Sequence, residues 1–114
     1  MKAIVWYDKY LETAKEFIKT QINKYKIIGI EGRIIESKSF FRFYADNGDL
    51  WQTASSRESS CRMKCNISYV EKSISEEFIN CVIKPCTVAY PYNAIIYYEH
   101  YFEKEEEKYC LKII

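Results

Sequence analysis

Hydrophobic side chains recur at helical spacing in one long segment near the start of the chain. In residues 8–25 the apolar positions fall three or four residues apart, and lysine and glutamate fill the opposite side. Asp8 stands where a helix cap is expected, because its carboxylate can accept N–H groups of the first turn. The pattern predicts an amphipathic helix over residues 8–25, preceded by a short strand over residues 2–7.

A second, shorter helix is predicted over residues 74–83. The sequence Ser73-Ile74-Ser75-Glu76 matches a capping box, in which a serine and a glutamate satisfy backbone donors at a helix start. Pro85 has no backbone N–H, so the helix is expected to end before it.

The remaining apolar segments are rich in β-branched and aromatic residues, which favour strands. A strand with a bend is predicted over residues 26–35, and further strands over residues 66–71 and 87–90. Residues 40–45 and 50–53 flank an Asn-Gly pair that favours a tight hairpin turn, and residues 94–102 and 109–114 flank an acidic turn. This order predicts an α+β domain: a mainly antiparallel sheet with both helices, over residues 8–25 and 74–83, packed on one face.

The length of 114 residues allows one domain, spanning residues 1–114. Seventeen basic and sixteen acidic residues leave a net charge of +1, which excludes bulk electrostatic attraction to nucleic acid. No segment approaches the roughly 20 apolar residues of a membrane span, and the first apolar run meets Asp8 too early for a secretory signal. A cytoplasmic protein that does not contact membranes is expected.

Five cysteines and one histidine are the candidates for metal binding or nucleophilic catalysis. The odd count cannot pair completely within one chain, which favours reduced, mostly buried thiols. Three residues separate Cys61 from Cys65 and four separate Cys81 from Cys86, whereas structural zinc sites usually pair closer ligands. No metal and no cofactor is expected. His100 could pair with Cys110 across the C-terminal hairpin, but no catalytic signature accompanies it, so a non-enzymatic protein is predicted.

Tyrosine is concentrated near the C-terminus: six of the eleven tyrosines fall between Tyr90 and Tyr109. A tyrosine ring offers a large rigid apolar face with a polar tip, which suits contact with another protein. The predicted partner-binding residues in this region are Tyr92, Tyr97, Tyr98, Tyr101 and Phe102. The strand over residues 94–102 is apolar on both faces and needs cover, so a homodimer through the C-terminal hairpin is also expected.

The polar segment over residues 55–64 is the other candidate site. Arg57, Arg62 and Lys64, among several hydroxyl side chains, supply the donors that a phosphate needs, although no glycine-rich phosphate loop is present. Trp51 or Tyr92 could stack on the base of a bound nucleotide. In a protein interface, the same arginines would supply oriented polar contacts.

Three functions follow from these features. The leading hypothesis is a small non-enzymatic intracellular binding protein that blocks a larger protein through an aromatic sheet surface. Its compact, tyrosine-rich single domain is similar in type to the inhibitors of host defence that phages and mobile elements carry, such as anti-CRISPR proteins. The alternative is a protein that binds or sequesters a nucleotide or another phosphorylated molecule through residues 55–64. The third, a hydrolase that uses a cysteine or His100, has the least support.

Overall fold

A computed structural model describes residues 2–55 and 64–114 of the protein. One sheet of seven strands has the order β2-β3-β4-β1-β5-β6-β7. The strands are β1 (Ala3–Asp8), β2 (Gly32–Glu36), β3 (Phe41–Ala45), β4 (Leu50–Ser55), β5 (Ile67–Glu71), β6 (Ala94–Glu103) and β7 (Lys108–Ile113). The helices are α1 (Leu11–Ile27) and a second helical segment over residues 76–86, made of α2 (Glu76–Phe78), a π-helical turn (Ile79–Ile83) and α3 (Lys84–Cys86).

The α+β class with a sheet and two helical segments is confirmed. Both outer parts of the sheet are antiparallel: β2 pairs with β3, β3 with β4, and β6 with β7. The centre is parallel, because β1 pairs in parallel with β4 and β5, and β5 with β6. Parallel strands need cover on both faces, and from Ile4 to Asp8 every residue of β1 is buried.

The two helical segments lie on opposite faces of the sheet, so the prediction that both pack on one face is wrong. Side chains alternate along β1: Ile4 and Trp6 belong to the core cluster with α1, and Val5 and Tyr7 belong to the other cluster. We call the first side of the sheet the α1 face and the second the opposite face. Helix α1 contributes Ala14, Ile18 and Ile22 to the first cluster, and the second helical segment contributes Ile79 and Ile83 to the other. A central strand that is apolar on both sides requires a helix on each.

Helix α1 begins at Leu11, later than the predicted start at residue 8. The N-cap position is Tyr10, whose side chain forms no capping hydrogen bond. Asp8 is instead the last residue of β1, where its Oδ1 accepts the N–H of Tyr10 at 3.0 Å. At its other end, α1 runs to Ile27, so the strand predicted over residues 26–35 is limited to β2.

The second helical segment also departs from its predicted bounds. Its cap is Ser75, whose Oγ accepts the N–H of Phe78 at 3.2 Å, and not Ser73. The segment continues through Pro85 instead of ending before it. The wide π turn provides a bond from the N–H of Lys84 to the carbonyl of Ile79, so the helical path survives although Pro85 donates no hydrogen bond.

A buried polar chain ties this segment to β5. The Thr87 hydroxyl donates to the carbonyl of Ile83 at 2.6 Å, and Ser68 Oγ lies 2.7 Å from Thr87 Oγ1. Cys65 Sγ in turn lies 3.3 Å from Ser68 Oγ. Because these bonds hold Thr87 at the end of the helical segment, residues 87–90 do not form the predicted strand.

The state of the cysteines differs from one to another. Cys65, Cys81 and Cys110 are free thiols, as expected, but only Cys65 is buried, and Cys81 is exposed. Cys86 is disulfide-bonded, so the expectation of reduced thiols is wrong for this residue.

Among the helices of residues 2–55 and 64–114, none has the length and apolar character that a membrane-spanning helix needs.

Candidate functional site: the anchored aromatic hairpin

The C-terminal hairpin extends past the parallel centre of the sheet. Strand β5 pairs with β6 only from Ala94 to Tyr98, whereas β6 continues to Glu103. Beyond Tyr98, β6 is paired with β7 in the antiparallel register that ends with Glu103 opposite Lys108. The outer half of the hairpin therefore stands at the carboxyl edge of β1 and β5 with two strands in place of a full sheet.

A buried carboxylate anchors the base of this hairpin to β1. Asp8 is 3% exposed, and its Oδ2 lies 2.7 Å from the Tyr98 hydroxyl and 2.6 Å from His100 Nε2. The Tyr98 hydroxyl also lies 2.8 Å from the carbonyl of Tyr7. A carboxylate oxygen accepts hydrogen bonds, which assigns the proton of the His100 ring to Nε2. The three side chains form one hydrogen-bonded cluster between the first and sixth strands.

The surroundings of the cluster are aromatic and mostly buried, with the His100 side chain 20% exposed. The His100 ring stacks on Phe17 of α1 with ring centroids 5.4 Å apart. Burial, and then the neighbouring Asp8 carboxylate, raise the pKa of Tyr98 far above its usual range, so the phenol stays neutral. His100 Nδ1 is buried and has no hydrogen-bond partner among residues 2–55 and 64–114. The arrangement suits a structural anchor, because it offers the ring little access to a reacting molecule.

Aromatic side chains are exposed on both faces of the outer hairpin. On the α1 face, Phe102 is 49% and Tyr109 is 71% exposed, and their ring centroids lie 5.1 Å apart. On the opposite face, Tyr97 and Tyr101 are 38% and 47% exposed. We call the surface around Tyr97 and Tyr101 the tyrosine face.

Charged groups of both signs surround the tyrosine face. Glu99 lies between Tyr97 and Tyr101 on the same side of β6, and its carboxylate pairs with Lys72 Nζ at 2.5 Å. This contact lowers the pKa of Glu99 and raises that of Lys72. Lys112 stands opposite Glu99 in the β6–β7 register, and an ion pair joins Glu106 to Lys108 in the turn region. The result is an aromatic centre with an electrically mixed rim.

Two of the predicted binding residues are buried, so the predictions for them are wrong. Tyr98 has 0% exposure and forms part of the anchor, so it cannot contact a partner. Trp51 is 8% exposed, and its Nε1 donates to the hydroxyl of Tyr25 at 3.0 Å, so its ring is not available to stack on a base. Tyr92 is partly exposed and precedes β6, where its backbone carbonyl accepts the side-chain amide of Asn66 at 3.0 Å.

The predicted anion-binding segment is described only at its ends. Arg57 and Arg62 lie outside the described residues, and Lys64 is an exposed residue preceding β5. A phosphate site over residues 55–64 therefore stays a prediction from the sequence.

Cys110 and His100, which the sequence suggested as a catalytic pair, lie on different faces of the sheet. Cys110 lies on the opposite face, with its Sγ 3.4 Å from Glu103 Oε2, whereas His100 lies on the α1 face. The pairing of Cys110 with His100 considered from the sequence is therefore wrong. A hydrogen bond with Cys110 raises the pKa of Tyr101. Within residues 2–55 and 64–114, no group of three or more His, Cys, Asp or Glu side chains could hold a metal ion.

Sequence reasoning missed the anchor and the exposure of Tyr109. Asp8 and His100 are 92 positions apart, and the sequence interpretation assigned Asp8 to a helix cap. One signal was present: an acidic residue ends an otherwise apolar run. It becomes informative only when β1 is known to be a central strand whose carboxyl end faces β6.

Neither a protein-family model, nor a curated protein, nor a solved structure matches this chain. What the protein does is therefore inferred from its own residues.

Proposed function

We propose that this is a non-enzymatic binding protein that engages a protein partner through the tyrosine face of the C-terminal hairpin. The observation that carries the proposal is the exposure of Tyr97 and Tyr101 on one side of a paired strand. Exposed aromatic side chains on a rigid element are typical anchors of protein interfaces, where a few such residues supply most of the binding energy.

The charges around the tyrosine face favour a protein over a nucleic acid. Lys72 and Lys112 are matched there by Glu99, and the turn adds further glutamates to the same hairpin. A nucleic-acid surface would need an excess of basic groups to neutralise phosphates. An apolar centre with a mixed polar rim is instead the usual organisation of a protein–protein interface.

The anchor at Asp8 supports the same role. Tyr98 is fixed by its hydroxyl and lies between Tyr97 and Glu99 in sequence, so the backbone that presents the tyrosine face is held from the other side of the sheet. A surface fixed before binding loses less conformational entropy when the partner docks. Inhibition of a host defence protein, the role suggested by the likeness in type to phage inhibitors, is one form that such binding would take.

Affinity capture followed by quantitative binding tests the proposal. A partner captured from the source organism is identified and purified, and its dissociation constant is measured against the wild type and the double variant Tyr97→Ser/Tyr101→Ser. Loss of two interface aromatics is expected to weaken binding by at least roughly 30-fold, the equivalent of about 2 kcal/mol. The matched control is Tyr10→Ser/Tyr90→Ser, which removes two highly exposed tyrosines outside the hairpin and should leave affinity unchanged.

Equal affinity of the hairpin variant and the wild type would overturn the proposal, provided that circular dichroism shows both to be folded. So would equal losses in the hairpin variant and the control.

A further inference from the structure

Strand β7 forms one edge of the sheet and turns a defined set of backbone groups outward. The N–H of Ile114 donates to the carbonyl of Tyr97 at 3.0 Å, which fixes the phase of the β6–β7 hydrogen bonds. In an antiparallel pair, alternate residues point their N–H and C=O groups toward the neighbouring strand. The backbone groups of Tyr109, Leu111 and Ile113 therefore point away from β6, at the edge of the sheet.

The same three residues place apolar side chains on the α1 face. Leu111 packs partly against the core cluster, and Tyr109 and Ile113 are more than half exposed. Phe102, opposite Tyr109, extends this apolar strip onto β6. In the sheet formed by residues 2–55 and 64–114, these outward groups have no neighbouring strand, and such an edge beside an apolar strip is a template for another strand.

We propose that two copies of the chain pair through β7, antiparallel, with Leu111 on the two-fold axis. This register places Tyr109 opposite Ile113 of the second copy and Leu111 opposite its own counterpart. Every outward N–H and C=O of Tyr109, Leu111 and Ile113 then has a partner, and the apolar strips of the two copies become continuous across the junction.

The lysines of β7 disfavour the two neighbouring registers. Residues that stand opposite each other must point to the same face of the sheet. The alternative registers nearest to this one therefore place the two-fold axis on the next residue of β7, either Cys110 or Lys112. With Cys110 on the axis, Lys108 would stand directly opposite Lys112; with Lys112 on the axis, Lys112 would face itself. Like charges directly opposite one another destabilise a strand pair. With Leu111 on the axis, Lys112 faces Cys110 instead.

The other edge of the sheet is a poorer candidate. Strand β2 holds Arg33 over the Tyr44 ring at 5.5 Å and pairs Glu36 with Lys15 at 2.7 Å, so its charges are already engaged within the chain. Pairing of β2 with β7 of another copy would be head-to-tail and would build an open polymer. Pairing of β7 with β7 closes at two copies.

The dimer and the partner-binding role are independent of each other. A two-fold axis perpendicular to the sheet keeps both tyrosine faces on the same side of one continuous sheet, and β7 pairing uses neither Tyr97 nor Tyr101. If both proposals hold, the dimer presents the tyrosine face twice. The experiments below contain no partner protein, so their failure would leave the binding proposal intact.

The first test is the mass in solution. Sedimentation equilibrium of the full chain should give twice the monomer mass of 13.7 kDa. Ile113→Pro removes one outward N–H while leaving the inward bonds of the hairpin, and should weaken dimerisation roughly tenfold or more. Ile113→Thr keeps the N–H and serves as the matched control. A monomeric wild type, an open series of larger species, or equal weakening in both variants would overturn the proposal.

The second test reads the register by disulfide trapping. In a hydrogen-bonded antiparallel pair the Cα atoms are about 5.5 Å apart, within the range that a disulfide spans. Leu111→Cys, made with Cys81→Ser and Cys110→Ser, should therefore form a cross-linked dimer on mild oxidation, with the bridge located by peptide mass mapping. The control is Cys81→Ser alone, which keeps Leu111 and Cys110. In this variant, Cys110 of one copy should not cross-link to Cys110 of the other. The reverse result would place Cys110 on the axis and overturn the register.

Discussion

The imidazole Nε2 of His100 lies 2.6 Å from the Oδ2 of Asp8 and so connects the sixth strand to the first. The Tyr98 hydroxyl reaches the same carboxylate oxygen at 2.7 Å. Asp8 is almost fully buried, and a buried carboxylate is costly unless hydrogen bonds replace the water it has lost. The hairpin that carries the exposed aromatics is thus tied to the centre of the sheet by bonds whose loss leaves a desolvated acid behind.

Replacement of His100 by phenylalanine should destabilise the fold. The variant keeps an aromatic ring to stack on Phe17 but removes the donor to Asp8, at an expected cost of about 1–3 kcal/mol in the free energy of unfolding. Urea denaturation followed by tryptophan fluorescence measures it.

The control for this prediction is Glu99→Gln, the next residue on β6. Glu99 forms an exposed ion pair with Lys72, and such pairs contribute little to stability. If His100→Phe is as stable as Glu99→Gln, the Asp8 carboxylate does not depend on His100.

Tyr98→Phe should interact energetically with His100→Phe. Both side chains form hydrogen bonds with Asp8 Oδ2. The cost of removing one donor therefore depends on whether the other donor is still present. The double variant should therefore differ from the sum of the single variants by roughly 0.5 kcal/mol or more. Simple additivity in a double-mutant cycle from urea denaturation would show that the two residues act separately.

The sequence predicted elements well where the pattern was local, and poorly where distant residues decided. Periodicity located α1, and the Asn47-Gly48 pair located the β3–β4 hairpin, in which Gly48 adopts a φ of +96°. The parallel centre was not predicted, because a parallel pairing leaves no turn signal between its strands. Tyr98 is buried, whereas Tyr97 and Tyr101 are exposed, because different neighbours cover the two faces of β6. Both faces of this strand are apolar in sequence, so the alternation of side chains could not predict which face is covered.

Asp49 should contribute stability that disappears in acid. Burial alone would raise the pKa of this carboxyl, but hydrogen bonds from Tyr25, from the N–H of Lys2 and from Asn47 hold it below its ordinary value of 3.8. A lowered folded-state pKa means that the stabilisation is present above the ordinary carboxyl range and is lost as pH falls through it. Urea midpoints measured from about pH 7 to pH 3 should therefore fall more steeply for the wild type than for Asp49→Asn. Parallel curves would contradict the assignment.

Tyr25 should contribute stability that disappears in alkali. Burial, and then its hydrogen bond to Asp49, raise the pKa of Tyr25 from 10.0 to about 12. A raised folded-state pKa favours the protonated form, so this stabilisation is complete below about pH 10 and is lost as pH rises toward about 12. Tyr25→Phe should be less stable at neutral pH, because Trp51 Nε1 loses its acceptor, and the difference from the wild type should shrink across that alkaline range. Thermal unfolding followed by circular dichroism at stepped pH measures this difference; a constant gap would contradict the linkage.

Gly32→Ala should destabilise the β2 edge although the residue is exposed. A Cβ at this position would lie 2.5 Å from the Phe43 ring and 2.5 Å from the carbonyl oxygen of Tyr44, closer than real Cβ atoms approach. Glycine to alanine changes at unstrained sites usually stabilise a fold by reducing the freedom of the unfolded chain, so a loss of about 1–3 kcal/mol would identify the clash. Arg33→Ala, on the same exposed strand, is the control and should change the urea midpoint little. Equal or greater stability of Gly32→Ala would mean that β2 moves away from Phe43 at negligible cost, and that close packing at this edge does not hold the β2–β3 hairpin in place.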